Sequence, residues 1–175
     1  MLESLVVSNY ALIDRLEVRF SPGLNILTGE TGAGKSILIG ALGLLLGFKA
    51  DPEAVRAGAE EASVSAVIRL EGNQEAQSWL ESQGLSPEEG TIILRRTVKK
   101  SGKGALLVQS SPLPLASLKE LTATLFDMHG QHEHQSLLVP ENHRKLLDRY
   151  AETTAAALPS PNSTATFRFF QSMYG

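Results

Sequence analysis

Apolar and polar positions set out the elements of this chain before any chemistry is considered. Leu2 to Val7 is rich in β-forming residues, and Leu16-Glu17-Val18-Arg19-Phe20 alternates as a half-buried strand does. Asn9-Tyr10 falls between these two strands. Ser21-Pro22-Gly23 is a turn signal, so the second strand is expected to double back into a short buried strand over Leu24-Asn25-Ile26-Leu27-Thr28. The period then changes. Ile37, Leu38, Ile39, Leu42, Leu44, Leu45 and Leu46 are apolar nearly all the way round, which predicts a helix buried between layers, with Gly47 as its stop. Asp51-Pro52 opens a short turn that holds Val55-Arg56-Ala57-Gly58. Ala62 to Leu70 alternates as a strand with Val64, Ala66, Ile68 and Leu70 on one face. Gln74 to Gln83 reads as a short helix with Trp79 and Leu80 inward, closed by Gly84. Thr91 to Lys100 and Ala105 to Val108 form a hairpin around Ser101-Gly102-Lys103-Gly104, and Leu118, Leu121 and Leu125 mark a helix over 115–125. Leu125 to Met128 suggests a further core strand, 129–135 a polar exit from the sheet, and 140–150 a last helix with Leu146, Leu147 and Tyr150 on its apolar side. From Ala151 the chain is low in complexity and rich in turn formers. The expected division is a lobe over 1–150 and a disordered or loosely packed tail over 151–175.

Composition narrows the class. The 175 residues suit one domain with a hydrophobic core, and 42% hydrophobic against 20% charged residues is ordinary for a globular protein. Sixteen Lys plus Arg against nineteen Asp plus Glu leave a formal charge of −3, so any contact with nucleic acid must come from a local patch. The absence of cysteine excludes disulfides and thiolate metal sites. The N-terminus does not look like a signal peptide, and the greasiest run, Ile37 to Phe48, is too short and glycine-broken to cross a bilayer. These features lead us to expect a cytoplasmic protein without a membrane partner.

The chemistry concentrates in Gly29-Glu30-Thr31-Gly32-Ala33-Gly34-Lys35-Ser36, which fits G-x-x-x-x-G-K-[ST] at every fixed position between an expected strand and an expected helix. Glycines let the backbone approach an anion, and the freed N–H groups and dipole of the helix N-terminus favour phosphate. Lys35 is placed to reach the β- and γ-phosphates of ATP, and the Ser36 hydroxyl to join the shell of Mg²⁺. A glycine turn that merely joins strand to helix is the plain alternative. Three further sites are open. Tyr10 either presents an aromatic edge to a base or packs at a sheet edge. Arg95, Arg96, Lys99, Lys100 and Lys103 make the densest basic cluster, suited either to DNA backbone contact or to blocking edge-to-edge strand pairing. His129, His132 and His134 have spacings a zinc ion accepts, although no cysteine assists them.

Six stretches carry a family likeness: Ser8-Asn9-Tyr10-Ala11-Leu12-Ile13, Leu27 to Ser36, Ala41-Leu42-Gly43-Leu44, Val55-Arg56-Ala57-Gly58-Ala59, Leu94-Arg95-Arg96 and Met128-His129-Gly130-Gln131-His132-Glu133-His134-Gln135. On them the sequence resembles, from Met1 to about Tyr150, the N-terminal half of the RecN family of DNA-repair ATPases, bacterial relatives of the SMC ATPases. The resemblance implies an α/β fold, the N-terminal lobe of an ABC/SMC-head-type P-loop NTPase, with a mixed sheet, an antiparallel flank and packed helices. It implies that Gln131 is the Q-loop glutamine that contacts Mg²⁺ and the attacking water, catalytic alongside Lys35. Arg56 would stand near the nucleotide in a loop linked to DNA sensing, with a solvated surface charge as its alternative. The implied partners are ATP, Mg²⁺, DNA, the second half of the head and a second head in a homodimer, in the bacterial cytoplasm at the nucleoid.

The sequence departs from the family at Val108-Gln109-Ser110, where an asparagine-glycine turn is typical. After Gln131 there are no heptads, no signature Ser-Gly-Gly segment and no apolar run ending in paired carboxylates. The expectation is therefore half a head, which binds ATP without efficient turnover. Other readings are a RecF-like DNA-binding ATPase, a small-molecule kinase, and an inactive truncated fragment.

Overall fold

A computed structural model describes residues 1–28 and 33–126. The first strand, β1 (Leu2–Tyr10), turns through Ala11 and Leu12 into β2 (Ile13–Arg19). Helix α1 (Ala33–Leu45) is followed by β3 (Glu61–Arg69), helix α2 (Gln74–Ser82), β4 (Thr91–Lys99), β5 (Gly104–Val108), the short β6 (Ser111–Pro112) and helix α3 (Leu115–Leu125). The strands lie in the order β2-β1-β3-β4-β5-β6, and every pairing is antiparallel. The described sheet is thus the antiparallel part of the expected fold.

Alternation decides the two faces of the sheet. Leu5 and Val7 of β1, Ala62, Val64, Ala66 and Ile68 of β3, and Ile92, Leu94 and Val98 of β4 are buried in one core. A register shift between Leu2 and Ser4 turns Leu2 into that core as well. Leu38, Ala41, Leu42, Leu44 and Leu45 of α1, Ala76 and Leu80 of α2, Leu118 and Leu121 of α3, and Phe20, Val55, Leu70 and Val108 join it. The other face carries Ser4, Val6 and Ser8, then Ser63, Ser65 and Val67, then Ile93, Arg95, Thr97 and Lys99, all at least partly exposed. Asn73 locks the two shorter helices together: its side chain caps α2 by accepting from Ala76 N–H at 3.0 Å and donates to the Thr124 carbonyl at 2.8 Å.

One predicted strand is not seen among the described residues. Leu24 to Thr28 joins no ladder among the described residues, and Leu24 and Ile26 are 81% and 74% exposed. The turn before it does form. Asn25 Oδ1 accepts from Ser21 N–H at 3.0 Å, and Asn25 Nδ2 donates to the Ser21 carbonyl at 2.8 Å. This turn does not pair the chain with β2, and residues 24–28 have no strand partner among the described residues. The expected helix over 140–150, the expected tail over 151–175 and residues 127–128 of the strand expected over 125–128 lie outside the described residues, while Leu125 ends α3 and Phe126 caps it.

Candidate nucleotide-binding site

Helix α1 begins inside the phosphate-loop motif. Gly34, Lys35 and Ser36 are exposed on its first turn, and that turn holds no carboxylate. Backbone N–H groups that lack intrahelical partners, one lysine and one hydroxyl therefore meet at the positive end of a helix dipole, with no carboxylate in that first turn. Such a donor set fits a nucleotide phosphate with its Mg²⁺. Gly29, Glu30, Thr31 and Gly32 lie outside the described residues, as do Gln131 and the histidines at 129, 132 and 134, and the Ala33 side chain is likewise not described.

The far end of α1 is fastened in detail. Gly47, with φ +90°, stops the helix in a Schellman turn: Phe48 N–H donates to the Gly43 carbonyl at 2.9 Å and Gly47 N–H to the Leu44 carbonyl at 3.2 Å. Arg96 of β4 then donates through Nη1 to the Leu44 carbonyl at 2.6 Å and to the Phe48 carbonyl at 2.8 Å. Burial holds the guanidinium pKa below the usual arginine range. This placement corrects one expectation. Arg96 does not belong to the exposed basic cluster, because β4 turns Ile92, Leu94, Arg96 and Val98 to the same, covered side. Arg95 and Lys99 point to the open face, and Lys100 and Lys103 are exposed at the hairpin tip, so four of the five predicted residues stay together.

Arg56 sits at the same end of the sheet as that tip. Its N–H donates to the Asn9 carbonyl at 2.9 Å, and its Nη1 donates to the Leu12 carbonyl at 2.6 Å, which holds the β1–β2 turn. Ala11 in that turn has φ +50°, a region that costs a residue with a Cβ about 1 kcal/mol or more. The Ala11 N–H bond to the Ala54 carbonyl at 2.6 Å and the Arg56 contact hold it there. On the other side of the loop, Lys100 N–H donates to the Glu60 carbonyl at 3.1 Å. The loop with Arg56 is therefore wedged between the β1–β2 turn and the basic hairpin.

Tyr10 belongs to β1 itself and stands in an inner strand, away from any sheet edge. It pairs with Val55, and its hydroxyl lies 3.1 Å from where a Cβ on Gly40 of α1 would stand. Half-burial, and secondarily the Asp51 carboxylate, push its phenol above the usual tyrosine range. Tyr10 thus connects the Arg56 loop to the middle of α1. Sequence reasoning missed the anchoring role of Arg96, although a basic residue at the parity of three core residues was the available signal.

Comparison with known proteins places this arrangement. The family model of the AAA domain matches residues 4–153. The chain belongs to the AAA domain family. As an AAA domain it is 44% identical over 151 residues to DNA repair protein RecN of Vibrio cholerae and 41% identical to that of Bacillus subtilis, each match covering 86% of this chain. The chain spans about a quarter of the length of these relatives, 27% and 26% respectively. Its fold is similar to a chain from structural work on ATP-driven dimerization and DNA-stimulated activation of SMC ATPases. The TM-score is 0.56 at 19% identity, covering 85% of this chain and 98% of that one. The recombination mediator protein RecF in its ATP form gives a TM-score of 0.53 at 20% identity, covering 84% of this chain and 36% of that one. The fold is therefore of the type found in these SMC and RecF structures, and the RecN resemblance extends over 151 residues of the chain. No helix among the described residues is long and apolar enough to cross a membrane.

Proposed function

We propose that this chain is the ATP-binding N-terminal lobe of a RecN-type ATPase that acts in the repair of DNA double-strand breaks. The observation that carries the reading is the complete G-x-x-x-x-G-K-S motif opening directly into α1, whose first turn exposes Lys35 and Ser36 and carries no acidic residue. In this reading the loop amides from Gly29 to Gly34 cradle phosphate, Lys35 neutralises it, and Ser36 with Gln131 holds Mg²⁺. Arg56 supplies a further cation at the edge of the site. ATP supplies the free energy for a cycle in which two heads of the full protein close and reopen. Arg95, Lys99, Lys100 and Lys103 meet the DNA backbone through charge, without reading sequence. The protein works in the bacterial cytoplasm, at the nucleoid.

The test is a titration of the 175-residue chain with a fluorescent ATP analogue, with and without Mg²⁺. Lys35→Ala removes a charge-assisted contact to phosphate and should weaken binding by about 2–4 kcal/mol. Equal binding by parent and variant would sink the phosphate-loop reading.

A further inference from the structure

Among the described residues two polar side chains are buried, Arg96 at 8% exposure and Thr122 at 4%. They come from different elements, β4 and α3, and converge on one place. Arg96 Nη1 donates to the carbonyls of Leu44 and Phe48, and Thr122 Oγ1 stands 3.5 Å from the carbonyl of Leu46 while also donating to the Lys119 carbonyl at 3.3 Å. The Lys119 stem packs on Gly47, where a Cβ would stand 2.7 Å from its Cγ. Apart from the bond of Thr122 to Lys119 within α3, these contacts fall on the C-terminal end of the helix that begins at the phosphate loop.

Helix termination alone does not call for this arrangement. The Schellman turn at Gly47 already occupies the Gly43 and Leu44 carbonyls, and water satisfies the remainder at most helix ends. The alternation of β4 calls for an aliphatic residue at position 96, between Leu94 and Val98. A buried guanidinium is tolerated only when its donors are taken, and such breaks with the local pattern gather where function needs them. A cation also suits the negative end of the α1 dipole. The helix is a stiff rod, and Leu44 lies about 13 Å along its axis from Lys35 at 1.5 Å per residue. Whatever fixes the carbonyls at one end fixes the lysine and hydroxyl at the other.

We propose that Arg96, assisted by Thr122, is a positioning residue for nucleotide binding: it sets the axial place of α1 and with it the reach of Lys35 and Ser36 to the phosphates and Mg²⁺. This rests on the phosphate-loop reading above. The contact is made with main-chain carbonyls at the distal end of the helix, so Arg96 touches no nucleotide itself.

The experiment compares Mg-ATP affinity of the parent, Arg96→Met, Arg96→Lys, Thr122→Val and Lys35→Ala at a temperature where circular dichroism shows each to be folded. Leu80→Ala, a core change in α2, serves as a control of equal or greater loss of melting temperature. Arg96→Met should weaken Mg-ATP binding about tenfold, since misplacing a binding group by a fraction of an ångström to one ångström has effects of this order or larger. Arg96→Lys, which keeps a cation over the same carbonyls, should recover most of the affinity, and Leu80→Ala should bind as the parent does. Unchanged affinity in a folded Arg96→Met, or an equal loss in Leu80→Ala, would overturn the proposal. If Arg96→Met does not fold, a drop in Thr122→Val without a drop in Leu80→Ala supports it, and parent-like binding by Thr122→Val overturns it. A parent that binds no more ATP than Lys35→Ala refutes the phosphate-loop reading itself and the positioning role along with it. Failure of the positioning role alone leaves that difference intact.

Discussion

At the scale of single residues, neighbours in one strand have opposite environments. A guanidinium in the core of a sheet needs its donors occupied, and Arg96 finds two carbonyls, while Arg95 one position earlier stays in solvent on the open face. Glycine positions divide in the same way. Gly102 has φ +79° at the hairpin tip, and a Cβ there would meet only Pro52 Cγ at 3.8 Å. Gly104 has no unusual torsion to explain it, yet a Cβ would stand 2.2 Å from the Thr97 carbonyl oxygen. That oxygen belongs to the paired strand opposite, so no side-chain rotation can relieve the clash. Gly104→Ala must therefore shift β5 against β4, and the expected loss is about 3 kcal/mol, at the upper end for overpacking. Urea denaturation measures it, and a loss below about 0.5 kcal/mol would mean that the hairpin ends move freely.

At the scale of elements, the β4–β5 hairpin joins the fold to the proposed DNA contact. Its covered face anchors α1 and its open face and tip carry Arg95, Lys99, Lys100 and Lys103. Replacing Arg95, Lys99 and Lys103 by Glu should lower DNA affinity and flatten its salt dependence, since every phosphate that is no longer neutralised takes about one unit off the salt slope. Mg-ATP binding should be untouched, because none of the three faces α1. If the parent does not bind DNA even at low salt, these charges are only a solvated surface, because β4 is paired on both sides by β3 and β5 and has no open edge to protect. Much of this element was legible in the sequence. The alternation of 91–99 and the span of α3 follow from period alone, and a complete motif located the start of α1. Two features were not legible, each for a physical reason. Counting basic residues grouped Arg96 with Arg95, although its parity with Ile92, Leu94 and Val98 put it on the buried side. The apolar run Leu24 to Thr28 signals a preference for burial, but a strand also needs a ladder partner, which the run itself does not encode.

At the scale of the whole molecule, Leu24, Ile26 and Leu27 are exposed among the described residues, just ahead of the phosphate-loop motif. An apolar run without a ladder partner among those residues is a candidate for pairing with another strand. Hydrolysis, for its part, needs a positioned water, full Mg²⁺ coordination and donors facing the developing charge. In the proposed reading the 175 residues supply the phosphate cradle, Ser36 and Gln131, and the sequence has no apolar run ending in paired carboxylates after Gln131. Loss of one arginine finger in related chemistry already costs about 10³ to 10⁵ in rate. With several such groups lacking, the purified chain should bind Mg-ATP yet release phosphate no faster than background. A polypeptide carrying the remaining length of a RecN relative should restore Mg²⁺-dependent hydrolysis, and Gln131→Ala should then abolish most of it. The same addition should slow hydrogen exchange at the amides of residues 24–28 as they enter a ladder. Phosphate release is measured at saturating Mg-ATP with Lys35→Ala as the contamination control. Robust turnover by the 175-residue chain alone, absent in that control, would mean that these residues already form a complete active site. Restored hydrolysis with no change in exchange at 24–28 would mean that the missing groups arrive without pairing to this segment.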